Sequence, residues 1–155
     1  MTHPAREAGV SVRRFATGDA ARVVEICRES PGAAQWPQRT FEKLAESGES
    51  GWVAETGGVI CGFIVTRRVA QELEILNLAV GRSYRQQGKA SKLLNAALAD
   101  PSASPVERVF LEVRESNNTA AAFYTSHGFE QTGNRRGYYQ DPPENAVVME
   151  RKITG

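Results

Sequence analysis

The stretch VGRSYRQQGKASKLL, residues 80 to 94, sets a glycine and a lysine among polar residues, after the apolar run ILNLAV and before a pattern of helical spacing. Such a segment suits an anion, because backbone N–H groups opening a helix, reinforced by the helix dipole, make a phosphate site. The nucleotide-binding P-loop needs Gly, four residues, Gly, Lys and then at once Ser or Thr. Here six residues separate Gly81 from Gly88, and Ala90 stands where the magnesium-ligating hydroxyl belongs, with Ser91 one position late. The spacing argues against an NTPase and leaves the anion site standing. Metal chemistry has little to work with: Cys27 and Cys61 lie far apart without ligand spacing, and His3 and His127 are the remaining candidates. No metal is expected, and the two cysteines fit reduced thiols of a cytosolic protein.

The elements that must hold this loop can be read on either side of it. VSVRRF alternates as a strand, and TGDAARVVEICRES carries apolar Val23, Val24, Ile26 and Cys27 at helical spacing behind Asp19, an N-cap candidate. Pro37 fits the first turn of a second helix in WPQRTFEKLAES; WVAE, the turn TGG and VICGFIVTRRV read as a hairpin, and ELEILNLAV as a fourth strand. Ser91 to Asp100 puts Leu93, Leu94, Ala97 and Leu98 on one helical face, with PSASP as the stop. VERVFLEV is a strand, NNTAAAFYTSHGF a helix capped by Asn117 and ended by Gly128, and two last strands flank RRGYYQDPPEN. The expected fold is an α/β sandwich, with a mixed, mostly antiparallel sheet of about seven strands flanked by about four helices. Neither repeat nor linker divides residues 1–155, so a single domain is expected.

Bulk properties narrow the function classes. The 41% of hydrophobic residues can fill one core, and 19 basic against 18 acidic side chains leave a formal charge of +1, too small to hold nucleic acid or anionic lipid by bulk charge. MTHPAREAGVSVRRF lacks the apolar core of a signal peptide, and no run approaches a membrane span, so a cytoplasmic protein is expected, with no nucleic-acid or membrane partner. No oligomer is specified, and a monomer suffices.

The series LNLAV, RQQGKA and LEVRESNNTAAAFYTSHGF resembles the signature of the GCN5-related N-acetyltransferases (GNAT), whose loop reads Arg or Gln, two residues, Gly, one residue, Gly or Ala; here Arg85 to Ala90. GFIVTRRVAQELEILNLAV, LEVRESN, FYTSHGF and RRGYY followed by ENAVVM resemble the bacterial ribosomal-protein alanine N-acetyltransferases. Gly137, where that subfamily commonly carries a larger residue, and the first third of the chain depart from it.

The resemblance implies an enzyme that moves the acetyl group of acetyl-CoA directly to an amine, and an N-terminal alanine of a small-subunit ribosomal protein as the partner. It assigns the pyrophosphate to the backbone of Gln86, Gln87, Gly88, Lys89, Ala90 and Ser91, and the pantetheine arm to the strand end Leu78, Ala79 and Val80. Gly88 would let the ligand approach without a side chain between, while Lys89 on its own chemistry reads as a solvated first-turn side chain. Asn117, a helix cap by its chemistry, gains a cofactor contact by resemblance.

An ammonium acceptor must lose a proton and the departing thiolate must gain one. By itself Glu112 reads as a strand-end carboxylate in solvent; the LEVRESN match makes it the general base, with partial burial expected to raise its pKa. Tyr124, by default core packing, becomes the general acid, a phenol that is protonated at neutral pH. His127, at a helix end, reads as structural. Tyr138 and Tyr139, with Glu72 and Glu74, are expected to border the acceptor, and Trp36 with Phe41 to add walls. Acetylation of lysine or of a small amine is the alternative enzyme class, and a non-catalytic acyl-CoA sensor the alternative outside enzymes.

Overall fold

The computed structural model describes residues 9–85, 87–100 and 105–153. Its strands are β1 (Val10–Arg14), β2 (Glu49–Thr56), β3 (Val59–Val69), β4 (Glu72–Val80), β5 (Arg108–Arg114), β6 (Glu130–Gln140) and β7 (Pro143–Lys152). The helices are α1 (Ala20–Arg28), α2 (Gln38–Glu42), α3 (Lys89–Leu98) and α4 (Asn118–Ser126), with short 3-10 turns at Thr17–Asp19 and Arg82–Tyr84. The strands hydrogen-bond in the order β1-β2-β3-β4-β5-β7-β6. β1–β2, β5–β7 and β6–β7 are antiparallel, and β4–β5 is a parallel pair. The expected mixed sheet and element order are both present.

The chain forms two compact units, Met1–Thr66 with Asn77–Pro101, and Arg67–Leu76 with Ser102–Gly155. In the first, the TGG turn works because Gly57 and Gly58 both take positive φ, +58° and +79°, which a two-residue hairpin turn demands. Phe41 of α2 meets the Phe63 ring edge-on at 5.4 Å, and Val23, Ile26, Val53, Ile64, Leu93 and Leu94 fill the core around them. Each such side chain stabilises the fold by about 1.5–3 kcal/mol. A Cβ on Gly62 would stand 3.0 Å from Ala79 O and 3.1 Å from Leu93 Cδ1, so glycine there lets α3 lie close on the strands. The buried Asn77 amide receives the Ala34 N–H at 3.2 Å and donates to Ala34 O at 2.9 Å, tying the α1–α2 connection to β4.

In the second unit β5 alternates: Val109 and Leu111 are buried with Phe129, Ala146 and Met149, whereas Phe110 and Glu112 take the other face. The β4–β5 ladder spans Glu72–Ile75 and Arg108–Leu111.

Four local readings change. Asp19 precedes α1 as expected but does not cap it: its carboxylate accepts the Ala16 N–H at 2.7 Å and both Arg13 guanidinium nitrogens, because a 3-10 turn turns it back toward β1. α2 is shorter than its apolar pattern suggests, and α3 begins at Lys89, two residues before Ser91. The segment RRGYYQ is strand rather than loop: β6 runs through it, exposed along nearly its whole length, so it lacks the alternation that betrays a half-buried strand.

Among the described residues no helix is long and apolar enough to cross a membrane.

Candidate active site

In the first unit, β4 ends at Val80 and the Gly81 N–H bonds Cys61 O at 2.8 Å, which pins the start of the loop to β3. Arg85 then ties the loop down. Its guanidinium donates to Val80 O at 3.0 Å, Glu29 O at 2.7 Å and Ser30 Oγ at 2.9 Å, while the Glu29 carboxylate takes the Arg82 N–H at 2.9 Å. Three acceptors, from the end of β4 and the residues just after α1, therefore converge on Arg85, the first residue of the six-residue motif, whose anchoring role local sequence patterns do not disclose.

Gly88 is the N-cap of α3 at φ +79° and ψ 4°. A Cβ there would meet nothing within 4 Å, so the left-handed backbone itself calls for glycine. The first helical bond runs from Lys92 N–H to Gly88 O at 3.2 Å, leaving the Lys89 and Ala90 N–H groups at the helix mouth, where an anion complements them. Gln86 lies outside the described residues. Lys89 departs from the solvated reading: it is 6% exposed, its Nζ donates to Gln87 Oε1 at 2.6 Å, and it lies 5.8 Å from the Tyr84 ring centre. Ala79 and Val80 are buried and Leu78 half-buried, as fits the end of a sheet strand.

The second unit holds the proposed acid and base. Glu112 sits opposite Val148 near the end of β5, with its side chain 11% exposed. Its Oε2 is buried, meets no partner in hydrogen-bond geometry, and is ion-paired with the guanidinium of Arg135 on β6, a side chain 61% exposed. That guanidinium also lies 5.4 Å from the Tyr138 ring centre. Tyr138 and Tyr139 meet edge to face at 5.1 Å. Burial, then the neighbouring Glu112 carboxylate, pushes the Tyr138 phenol up, and burial with Tyr138 and Glu112 pushes Tyr139 up to about 12.

Tyr124 is 5% exposed on α4, between Phe123 at 5.1 Å and Phe129 at 5.3 Å. Burial pushes its phenol up, so it keeps its proton throughout the physiological range. The Asn117 Oδ1 accepts the Ala120 N–H at 3.1 Å, the expected N-cap. His127 holds Phe123 O through Nδ1 at 2.8 Å and packs its ring 4.4 Å from Phe123, a structural position.

The structure thus brings Glu112, Tyr138 and Tyr139 together. Glu74 contributes a weaker field at Tyr138 and is itself bonded to Arg67 at 2.6 Å. Glu72 pairs with Arg108 at 2.9 Å, four residues along β5 from Glu112. Phe41 is fully buried against Phe63, so it belongs to the core and offers no wall. Arg135 is the functional candidate that residue-by-residue reading passes over, although RRGYY contains it. Among the described residues no group of three or more His, Cys, Asp or Glu side chains is placed to hold a metal.

A glycine-capped helix mouth after β4 of a seven-stranded mixed sheet suits an enzyme that uses a phosphate-bearing acyl carrier. The chain belongs to the acetyltransferase (GNAT) family, whose model matches residues 20–129. It is an acetyl-CoA-dependent N-acetyltransferase. It is similar to the N-alpha-acetyltransferase RimI of Mycobacterium tuberculosis, 31% identical over 148 residues that cover 92% of each chain. It is also similar to the [ribosomal protein bS18]-alanine N-acetyltransferase of Haemophilus ducreyi, 39% identical over 93 residues that cover 58% of this chain and 64% of that one. Among solved structures, the ribosomal-protein-S18-alanine N-acetyltransferase of Escherichia coli superposes with a TM-score of 0.82 at 28% identity, covering 95% of this chain and 96% of the other.

Proposed function

We propose that the chain, acting as one cytoplasmic catalytic domain, transfers the acetyl group of acetyl-CoA directly to the N-terminal α-amine of a protein. The first candidate acceptor is the alanine N-terminus of small-subunit ribosomal protein bS18. The observation that carries the reading is the Glu112 carboxylate, almost enclosed on β5, already paired with a cation and set beside two tyrosines. An acceptor arrives as an ammonium and needs such a partner. The names of the relatives supply the acceptor class.

In this reading Gln86 to Ser91 hold the pyrophosphate through the backbone, with the Lys89 ammonium adding to the field, and Arg85 keeps the loop in place. Leu78, Ala79 and Val80 offer backbone groups to the pantetheine arm, and Asn117 caps α4 and contacts the cofactor. Acetyl-CoA supplies an activated acyl group. Glu112 takes the ammonium proton, directly or through water; Tyr124 gives its proton to the departing sulfur; Tyr138 and Tyr139 line the acceptor backbone. An N-terminal amine, at a reference pKa of about 7.7–8.0 against about 10.4 for lysine, asks roughly 3–4 kcal/mol less of the same base.

Glu72 and Glu74 enter as acceptor contacts only if they exchange the arginines they already hold. That engagement favours a second reading, an acceptor chosen by its amine rather than by a basic sequence behind it, lysine and small amines included. Mass spectrometry of ribosomal proteins from cells with and without this gene tests the first reading. Loss of the N-terminal acetyl group from bS18 supports it, and an unchanged bS18 N-terminus overturns it.

A further inference from the structure

We infer that Arg135 occupies the acceptor's place on Glu112 in the resting enzyme and is exchanged for the substrate ammonium on binding. The inference rests on the reading of Glu112 as the general base. A guanidinium stays protonated at every physiological pH, so it can neither accept the substrate's proton nor relay it. While it holds the buried oxygen of Glu112, the carboxylate already has its cationic partner. The group that must displace it is another cation of similar reach, which is what a protonated amine is.

The local build of β6 suits an exchange. β6 and β7 pair in register at Arg135↔Ala146 and again at Tyr139↔Glu144, so Arg136, Gly137 and Tyr138 face Asn145 alone. Gly137 turns this bulge at φ +62°, its N–H taken by Asn145 Oδ1 at 2.8 Å, and a Cβ there would meet nothing within 4 Å. Arg135 thus sits where ladder pairing breaks, on an exposed strand, with a long side chain that leaves Glu112 by rotamer changes alone. It has somewhere to go: the Tyr138 face, 5.4 Å from the guanidinium, can keep the cation after the carboxylate is surrendered. An arginine that only propped up Glu112 would gain nothing from a bulge beside it or from a second resting place.

Two measurements test this. In steady-state kinetics with an α-amine peptide, Arg135→Gln should lower the acceptor KM by about three- to tenfold, since the competing partner is gone, without lowering kcat. An unchanged or raised KM, or a tenfold lower kcat, overturns the inference and makes Arg135 a residue that positions Glu112 in the working complex. Calorimetry with methylguanidinium, which needs no turnover, supplies the second readout. The ion should bind Arg135→Ala at least three- to tenfold more tightly than the wild type, and should not bind the Arg135→Ala, Glu112→Gln double variant. Absence of binding to Arg135→Ala overturns the exchange. If the wild type transfers acetyl to no α-amine peptide while methylguanidinium binds as described, the proposed acceptor fails and the exchange stands.

Discussion

Replacing Gly88 by aspartate puts a negative charge on the residue that opens α3, and the structure says what this should cost. Gly88 has φ +79°, and a Cβ would meet nothing within 4 Å, so the penalty to the fold is conformational rather than steric. An L-residue in left-handed backbone costs about 1–2 kcal/mol, and the stiffer unfolded chain returns about 0.4–1 of it. The variant should therefore fold, with at most a few degrees lost from its melting temperature. A phosphate held at the helix mouth is another matter. Two like charges about 6 Å apart at an effective dielectric near 20 repel by roughly 3 kcal/mol, which is about a hundredfold in affinity. The pyrophosphate would bring more than one charge, and the Lys89 ammonium offsets part of the excess. Isothermal calorimetry of acetyl-CoA binding should show at least a hundredfold loss in Gly88→Asp and less than tenfold in Gly88→Ala. A folded Gly88→Asp that binds within threefold of the wild type refutes the anion site. An alanine variant as impaired as the aspartate refutes the electrostatic argument and assigns the loss to the Cβ.

Tyr124→Phe keeps the ring contacts with Phe123 and Phe129 but removes the proton, so kcat should fall by about 10²–10⁴-fold at unchanged acetyl-CoA affinity; a wild-type kcat removes Tyr124 from the mechanism. The Arg13 guanidinium holds the Asp19 carboxyl below its ordinary range, against the opposing effect of burial and with help from the Ala16 N–H. Its stabilisation is therefore complete above the unfolded value of about 3.9 and is lost as pH falls through the lower folded value. In acid melting curves the gap between the wild type and Asp19→Asn should narrow below about pH 4, and a gap that stays constant contradicts the pairing. Asn117→Ala removes the cap of the helix that carries Tyr124 and should cost about 1 kcal/mol, roughly 3 °C in Tm by scanning calorimetry; an unchanged Tm shows that the cap is replaced.

What could be read from the sequence follows the physics of each segment. The Gly57–Gly58 turn, the apolar face of α1 and the Asn117–Gly128 limits of α4 are local chemistry, and all appear where the residue types demand. β6 was harder because an exposed strand has no buried face to impose alternation, so RRGYY resembles a loop. The burial of Lys89 arises from packing that its neighbours in sequence do not announce, and a lysine in isolation always suggests solvent. The Glu112–Arg135 pair joins two strands that are distant in sequence and meet only through β7 between them. Charges also mislead when read singly. Glu72 and Glu74 look like free acidic contacts until their arginines are seen across the strands.

The most direct measurement is an acetyl-transfer assay on two matched peptides, with the product located by fragmentation mass spectrometry. One peptide is an arginine-rich hexapeptide beginning with alanine and without lysine; the other matches it except for a blocked N-terminus and a single lysine as its only amine. With acetyl-CoA the chain should acetylate the first at its α-amine and leave the second almost untouched, a difference that the two to three units between the reference amine pKa values already favour. Preferential acetylation of the blocked lysine peptide would contradict the N-terminal assignment and hand the site to a lysine acceptor.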